Sequence, residues 1–365
     1  MQSTANQDNR RRMNDSRVIS MLRKGPLTRR ELQQLTALSW GGVTNTVNRL
    51  IESGYIKEEK APAHKSSGRT PGRLFLTEDD NLVAGIDVNM TGLTGCVMNL
   101  SGEILWEDSS PADHSSKEAL LECITAFASA LIARRPSARF LAAGISMQGE
   151  VDQENGVSVK LSQVPQWHNV PLRDIMQRML NIPVWVAHDP DCMLHACMAE
   201  TGVKDAVLLR LDENVGMAAA VSGRMITGCG LMEAGHMVID PSGPRCRCGL
   251  NGCLTAYVAQ CERSGSPEAF AALAEPLAVT IHNLIQIFRP EKVVLAGDLM
   301  ISRDKFVPGL ERAFARISPH PFAAVEIISD ARGAMRGAAL IAAENAIENI
   351  DIYRFFSENT GGDPT

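Results

Sequence analysis

Three cysteines fall within one short run of this 365-residue chain, Cys246-Arg247-Cys248-Gly249-Leu250-Asn251-Gly252-Cys253, and His236 stands ten residues upstream of the first. Three thiolates and one imidazole are the donor set of tetrahedral zinc, and the glycines let the backbone wrap an ion. Three unliganded buried cysteines are the alternative reading, but packing so many into so short a run argues against it. The segment offers no open position for a reacting water, so the expected Zn2+ is structural. The remaining cysteines are scattered and read as ordinary buried residues.

The length allows two or three domains, and 45% hydrophobic with 21% charged residues is ordinary for a globular protein. No apolar run approaches the ~20 residues that span a bilayer, and the polar, arginine-bearing N-terminus lacks the apolar core of a secretory signal. A cytoplasmic protein without membrane insertion is expected. The net charge of -6 conceals a split: residues 1–76 hold 14 Lys+Arg against 6 Asp+Glu, and the remainder 22 against 36. A basic head on an acidic body points to a polyanion partner for the head alone. Met1 to about Arg12 reads as a solvated basic tail.

From Asn14 to Tyr55 apolar residues recur at helical spacing in three blocks. Val18, Ile19 and Leu22 mark the first, which Gly25-Pro26 ends. Thr28 and Glu31 form a capping box for the second, with Leu32 and Leu35 on its buried side. Ser39 caps the third, whose inner stripe is Val43, Val47, Leu50 and Ile51. Its outer face then carries Trp40, Thr44, Asn45, Asn48 and Arg49, side chains suited to phosphates and base edges in a major groove. Gly41-Gly42 in the first turn implies close approach to another backbone, such as DNA. A plain trihelical docking module is the alternative, and the charge and short turn favour DNA. Short strands near Tyr55 to Glu58 and Arg73 to Leu76 look like a wing. Arg69 and Arg73, flanked by Gly and Pro, are slim enough for a minor groove, although a flexible linker fits the same composition.

From Leu82 the pattern changes to a three-strand meander running into β-α alternation. It repeats from Ala206, which predicts a duplicated α/β fold with a ligand cleft between the halves. The divisions expected are 1–60 for a winged helix-turn-helix domain, 61–79 for wing and linker, 80–190 and 191–350 for two α/β lobes with the zinc site in the second, and 351–365 for a tail.

The zinc run preceded by Glu233-Ala234-Gly235-His236 closely resembles the signature of the ROK family of sugar kinases and repressors. Further matches are Leu38-Ser39 with Val43, Gly68-Arg69, Trp167 to Leu172, His188-Asp189, Asn214-Val215-Gly216 and Gly337-Ala338-Ala339. The head places the chain beside the Mlc/NagC-type repressors of that family. The resemblance implies an actin-like, ribonuclease-H-like sugar-kinase fold. It also implies a sugar pocket lined by Asp189, Glu233 and His236, with zinc orienting the histidine. In kinase members the residue matching Asp189 is the base for the sugar hydroxyl. A helix cap for Asp189 and a surface charge for Glu233 are the plainer alternatives.

Against the kinase pattern the chain departs at each phosphate contact. Asp87-Val88-Asn89-Met90-Thr91 has Asn and Met where glycines belong, Asp212-Glu213-Asn214-Val215-Gly216 puts two carboxylates in a phosphate loop, and Gly297-Asp298 replaces a glycine pair. Phosphoryl transfer depends on positioning and charge neutralisation, so a lost kinase activity is expected. In the sugar pocket His188 replaces the asparagine common in the family, and Thr255 replaces a glutamate. The expectation is a homodimeric or homotetrameric repressor that binds double-stranded operator DNA near carbohydrate genes and responds to a sugar or sugar phosphate. An ATP-dependent kinase is the rival. Control by a sugar-transport protein is the third reading, for which an apolar C-terminal segment (Ala338 to Ile350, then Ile352, Tyr353, Phe355 and Phe356) offers a docking surface.

Overall fold

The computed structural model describes residues 2–59, 72–227, 232–319, 325–327 and 333–350. Arg69 with the rest of the wing tip, and the apolar residues from Ile352 to Phe356, lie outside them.

The head begins with α1 (Gln2–Leu22), so the stretch expected to be a solvated tail is helical. Val18, Ile19 and Leu22 on its inner face are buried, each worth roughly 1.5–3 kcal/mol. After β1 (Leu27–Thr28), α2 (Arg29–Thr36) starts with the predicted capping box. The Glu31 amide donates to the Thr28 hydroxyl at 3.2 Å and the Thr28 amide to the Glu31 carboxylate at 2.7 Å. Leu32 is fully buried, but Leu35 is 58% exposed, because this short helix buries one narrow face only. Ala37, in the left-handed region at φ 55°, turns the chain into α3 (Trp40–Glu52). Ser39 caps α3 through the Gly42 amide, and Val43, Val47 and Leu50 face inward. The wing strands β2 (Ile56–Glu59) and β3 (Arg73–Leu76) pair antiparallel, with Glu59 opposite Arg73. Strand β3 also pairs with β1, giving the order β1-β3-β2. The wing is therefore part of the head's own sheet, where the sequence divisions separate it at residue 60.

The first lobe holds β4 (Asn81–Asn89), β5 (Gly92–Asn99), β6 (Ile104–Ser110), α4 (Lys117–Ala133), β7 (Arg139–Met147), α5 (Leu172–Leu180) and β11 (Val184–His188). Between β7 and α5 a small antiparallel sheet is formed by β8 (Glu150–Asp152), β9 (Val157–Lys160) and β10 (His168–Val170). Helix α6 (Asp189–Thr201) leads to the second lobe. There lie β12 (Ala206–Leu211), β13 (Val215–Val221), β14 (Arg224–Met225), α7 (Leu254–Ser264), α8 (Pro267–Phe288), β15 (Lys292–Ala296), α9 (Arg303–Ile317) and β16 (Val325–Ile327). The sheets run β11-β7-β4-β5-β6 and β14-β13-β12-β15-β16. In each, a three-strand antiparallel meander continues into two parallel strands. The two halves thus share one topology, as the repeated sequence pattern predicts. Helix α8 has the length and apolarity of a membrane span, but its Leu273, Leu277, Ile281 and Leu284 lie in the second lobe's core.

The last described helix, α10 (Gly333–Glu348), packs on β4 and β7 and against α6. Numbered with the second lobe at the sequence level, it belongs by contact to the first. Glycines permit the approach: a Cβ on Gly144 would land on the Ala338 carbonyl, and one on Gly337 on the Cys192 carbonyl. A single apolar cluster then joins Val18, Ile19 and Val47 of the head to Val83 and Leu141 of the first lobe and to Ala339, Ala343 and Ile347 of α10.

Candidate nucleic-acid face and interlobe site

On α3 the outward side chains are Trp40, 53% exposed, Asn45 and Asn48. Among the described residues nothing lies within 4 Å of the open side of Gly41. Asn48 accepts from Arg29 at 3.1 Å, and Arg29 also pairs with Glu58 of the wing at 2.9 Å, which ties the helix face to the sheet. Arg73 is exposed at the start of β3. Two residues expected on this face sit otherwise. Arg49 turns back to form an ion pair with buried Asp15 of α1, since an arginine at this helical position is within reach of the neighbouring helix. The Thr44 hydroxyl is buried, with no hydrogen-bond partner among the described residues.

Helix α10 connects the head to the cleft. Glu344 meets His195 of α6 at 3.1 Å and Arg23, just after α1, at 4.0 Å. Helix α6 begins at Asp189, so these contacts link the helix that starts at the cleft to the base of the head.

In the cleft, Asp189 is buried at the end of β11. Arg210 of β12 forms an ion pair with it and with Asp212 at 2.5 Å. Sequence reasoning missed Arg210. The signal was present, because an arginine within the otherwise apolar Ala-Val-Leu-Leu-Arg-Leu requires buried carboxylates to receive it. His188 lies 3.3 Å from Asp189, and burial, then the Arg210 charge, lowers its pKa to about 4, so it is neutral near pH 7. Asp87 is also buried and accepts from Ser146 at 2.6 Å and Asn89 at 2.7 Å; burial raises its pKa. Asn89 in turn accepts from Thr91, so the first phosphate-type turn is closed on itself. Asp212 accepts the Asp298 amide at 2.6 Å. A carboxylate of the chain thus takes an amide that an exposed glycine turn would offer to a phosphate.

Thr255 is buried, and its hydroxyl donates to the Gly235 carbonyl at 2.9 Å, which orders the loop before His236. Glu233, half exposed, lies 3.9 Å from His236 Nε2. The other ring nitrogen, Nδ1, is 3.6 Å from Cys246 Sγ, and Cys248 Sγ is 3.6 Å from Cys253 Sγ. All four donor atoms lie within 4.8 Å of one another. Tetrahedral zinc bond lengths imply sulfur–sulfur and sulfur–nitrogen edges of about 3.5–3.8 Å. The donor set therefore fits and can hold a metal ion. Glycines at φ 99° (Gly249) and 72° (Gly252) make the turns that bring the thiols together.

A separate interlobe cavity of about 720 Å³ opens beside His188, walled by the β8–β9 hairpin and Asp191 on one side and by Met217, Ile226 and Met232 on the other. Of the residues expected in the sugar pocket, only His188 lines it.

The head is a winged helix-turn-helix, and the body is the duplicated fold of the ROK sugar kinases. Residues 83–262 match the model described as ROK family and residues 14–57 the one described as winged helix-turn-helix DNA-binding. The chain thus carries a ROK family domain behind a winged helix-turn-helix head. Among similar proteins, the xylose repressor of Caldicellulosiruptor bescii is 24% identical over 330 residues, 78% of this chain and 82% of that protein. The crystal structure of a ROK family transcriptional regulator, a homolog of the E. coli MLC protein, superposes with a TM-score of 0.80 at 21% identity, covering 96% of this chain and all of the other. A ROK hexokinase from Thermus thermophilus superposes with a TM-score of 0.61 at 23% identity over 72% of this chain and 97% of its own.

Proposed function

We propose that this chain is a cytoplasmic transcription regulator, a repressor of carbohydrate uptake or catabolism genes whose operator binding is controlled by a sugar in the interlobe cleft. The observation that carries the reading is the union of head and body. An exposed reading face, Trp40 with Asn45 and Asn48, stands on a head whose core continues into the first lobe and α10. Movement at the cleft wall is then transmitted to the position of α3. In a homodimer or homotetramer, such movement changes the spacing of two heads and hence their fit to a palindromic site.

The chain acts as a regulator and not as a kinase. Asp189, the position of the sugar-activating base, is held by Arg210, and Asp212 fills the place of a phosphate acceptor. Zinc held by His236, Cys246, Cys248 and Cys253 is structural: it fixes the loop that presents Glu233 and leaves no coordination site for substrate. Asp189, His188, Glu233 and His236 are the residues assigned to the effector, and Thr255 supports them through the backbone.

The test is selection of genomic fragments by the purified full chain, followed by footprinting and a sugar panel. A palindromic site released by one sugar supports the reading. ATP-dependent phosphorylation of a sugar, without sequence-preferring DNA binding, refutes it.

A further inference from the structure

The reading helix α3 ends in a polar joint to the body. Gly54, at φ 72°, turns the chain just after the helix, and its carbonyl accepts from two side chains, the Thr77 hydroxyl at 2.6 Å and the Asn81 amide at 2.8 Å. The Thr77 backbone amide donates to the Tyr55 carbonyl at 3.0 Å. Asn81 is the first residue of β4, and the parallel register places it opposite Arg139, the first residue of β7. The Arg139 guanidinium donates to Asn81 Oδ1 from Nε at 2.9 Å and again from a terminal nitrogen. It also stacks over the Tyr55 ring, 4.2 Å from the centroid.

Asn81 is fully buried, and its side-chain amide is used completely. Oδ1 accepts twice from Arg139, while Nδ2 donates to the Gly54 carbonyl and to Thr77 Oγ1 at 2.5 Å, which fills both lone pairs and both N–H groups. A flipped amide would turn its own N–H groups on those of the guanidinium, so the network has one arrangement. The apolar cluster that joins head, first lobe and α10 crosses the same boundary, with Tyr55 in it. Hydrophobic contact has no direction and tolerates sliding. Hydrogen bonds to a buried side chain are set in both length and angle.

We propose that Asn81 and Arg139 are positioning residues, which fix the end of α3 against the paired starts of β4 and β7 and so set the angle of the reading face on the body. This rests on the reading of the chain as a DNA-binding regulator. The apolar cluster holds the head on, and the joint gives it one orientation. A single head reads its half-site whatever its angle to the body. Two heads carried by one assembly reach both arms of a palindrome together only when both angles are held. A loose joint lowers the effective concentration of the second head at its arm. Arg139 is the position to change, because it is exposed at a strand start. Arg139→Met keeps a long unbranched side chain over Tyr55 and removes both donors.

Anisotropy titrations of the full chain on its selected palindrome, and on the same duplex with one arm scrambled, test this at fixed salt. Arg139→Met should bind the palindrome at least tenfold more weakly than wild type, and the one-armed duplex within twofold of it. Arg139→Lys, which keeps the charge but not the paired donors, should lose most of the palindrome's advantage too. Wild-type affinity of either variant for the palindrome, or an equal loss on both duplexes, would overturn the proposal. Hydrogen exchange on the same preparations reads the joint without DNA. The Thr77 amide should exchange at least tenfold faster in Arg139→Met while the amides of α3 keep their wild-type rates. Unaltered exchange at Thr77, or faster exchange throughout α3, overturns the proposal as well. A wild type with no sequence preference on DNA refutes the regulator reading, and the exchange rates then decide the joint by themselves.

Discussion

Asp191 and His188 face one cavity, and burial shifts them in opposite directions, with opposite consequences for stability. The Asp191 carboxyl, at about 7 in the fold against 3.8 ordinarily, holds its proton more tightly when folded. Its contribution is complete below about pH 4 and is lost as pH rises through about 7. The His188 imidazole, at about 4 against 6.5, contributes fully above 6.5 and loses that contribution as pH falls towards 4. Between pH 4 and 6.5 the slopes oppose, each at most about 1.4 kcal/mol per pH unit. Asp191→Asn leaves only the histidine's, so the variant's melting temperature should climb more steeply with pH over this interval than the wild type's. Parallel curves would show that Asp191 titrates normally. At the metal site, Cys253 is fully buried and close to Cys248, and its thiolate cannot be replaced by a hydroxyl without losing the ion. Metal analysis of the wild type should find one zinc per chain, and Cys253→Ser should lose it with a drop in melting temperature of several degrees. A metal-free wild type with the same melting temperature would remove zinc from the account.

Elements divide the head's arginines and asparagines by role. Asn45 projects from α3 into solvent, and Asn45→Ala should weaken operator binding by about 1–3 kcal/mol and relax preference at one base position. Arg49 instead ties α3 to buried Asp15, so Arg49→Met should lower the stability of the fold by roughly 2–3 kcal/mol, seen in denaturant melts, while base preference is kept. A change of base preference in Arg49→Met with unaltered stability would return that residue to the reading face. The sequence showed α3, its cap and its inner stripe because period and capping chemistry are local. It did not show the ion pair with Asp15, which depends on how α1 crosses α3. The three strands of β8 to β10 escaped for a similar reason: Glu150–Asp152 and His168–Val170 are too short to alternate visibly. The main strands were legible because long apolar runs bounded by turns have few other uses, and β12 begins at Ala206, where the pattern repeats. In the site, the cluster of His236, Cys246, Cys248 and Cys253 was legible from spacing alone. Arg210 stood out as an arginine in an apolar strand, but its pairing with Asp189 and the Asp191 cavity were not legible, since both arise where the two lobes meet.

Across the whole molecule, the return of α10 to the first lobe makes head and body one mechanical unit. Glu344 on α10 meets both His195 of α6 and Arg23 of the head, so Glu344→Ala should leave operator affinity nearly intact while reducing the factor by which a sugar weakens it. An unchanged factor would mean that the shared apolar core alone carries the signal. The central claim is that occupation of the cleft controls DNA binding. Fluorescence anisotropy of the full chain on its selected operator, at fixed salt and with increasing sugar, measures this directly. The account predicts tight binding to the operator that weakens at least tenfold, about 1.4 kcal/mol of coupling, as the sugar saturates. Operator affinity that stays constant while calorimetry shows the sugar bound would contradict it.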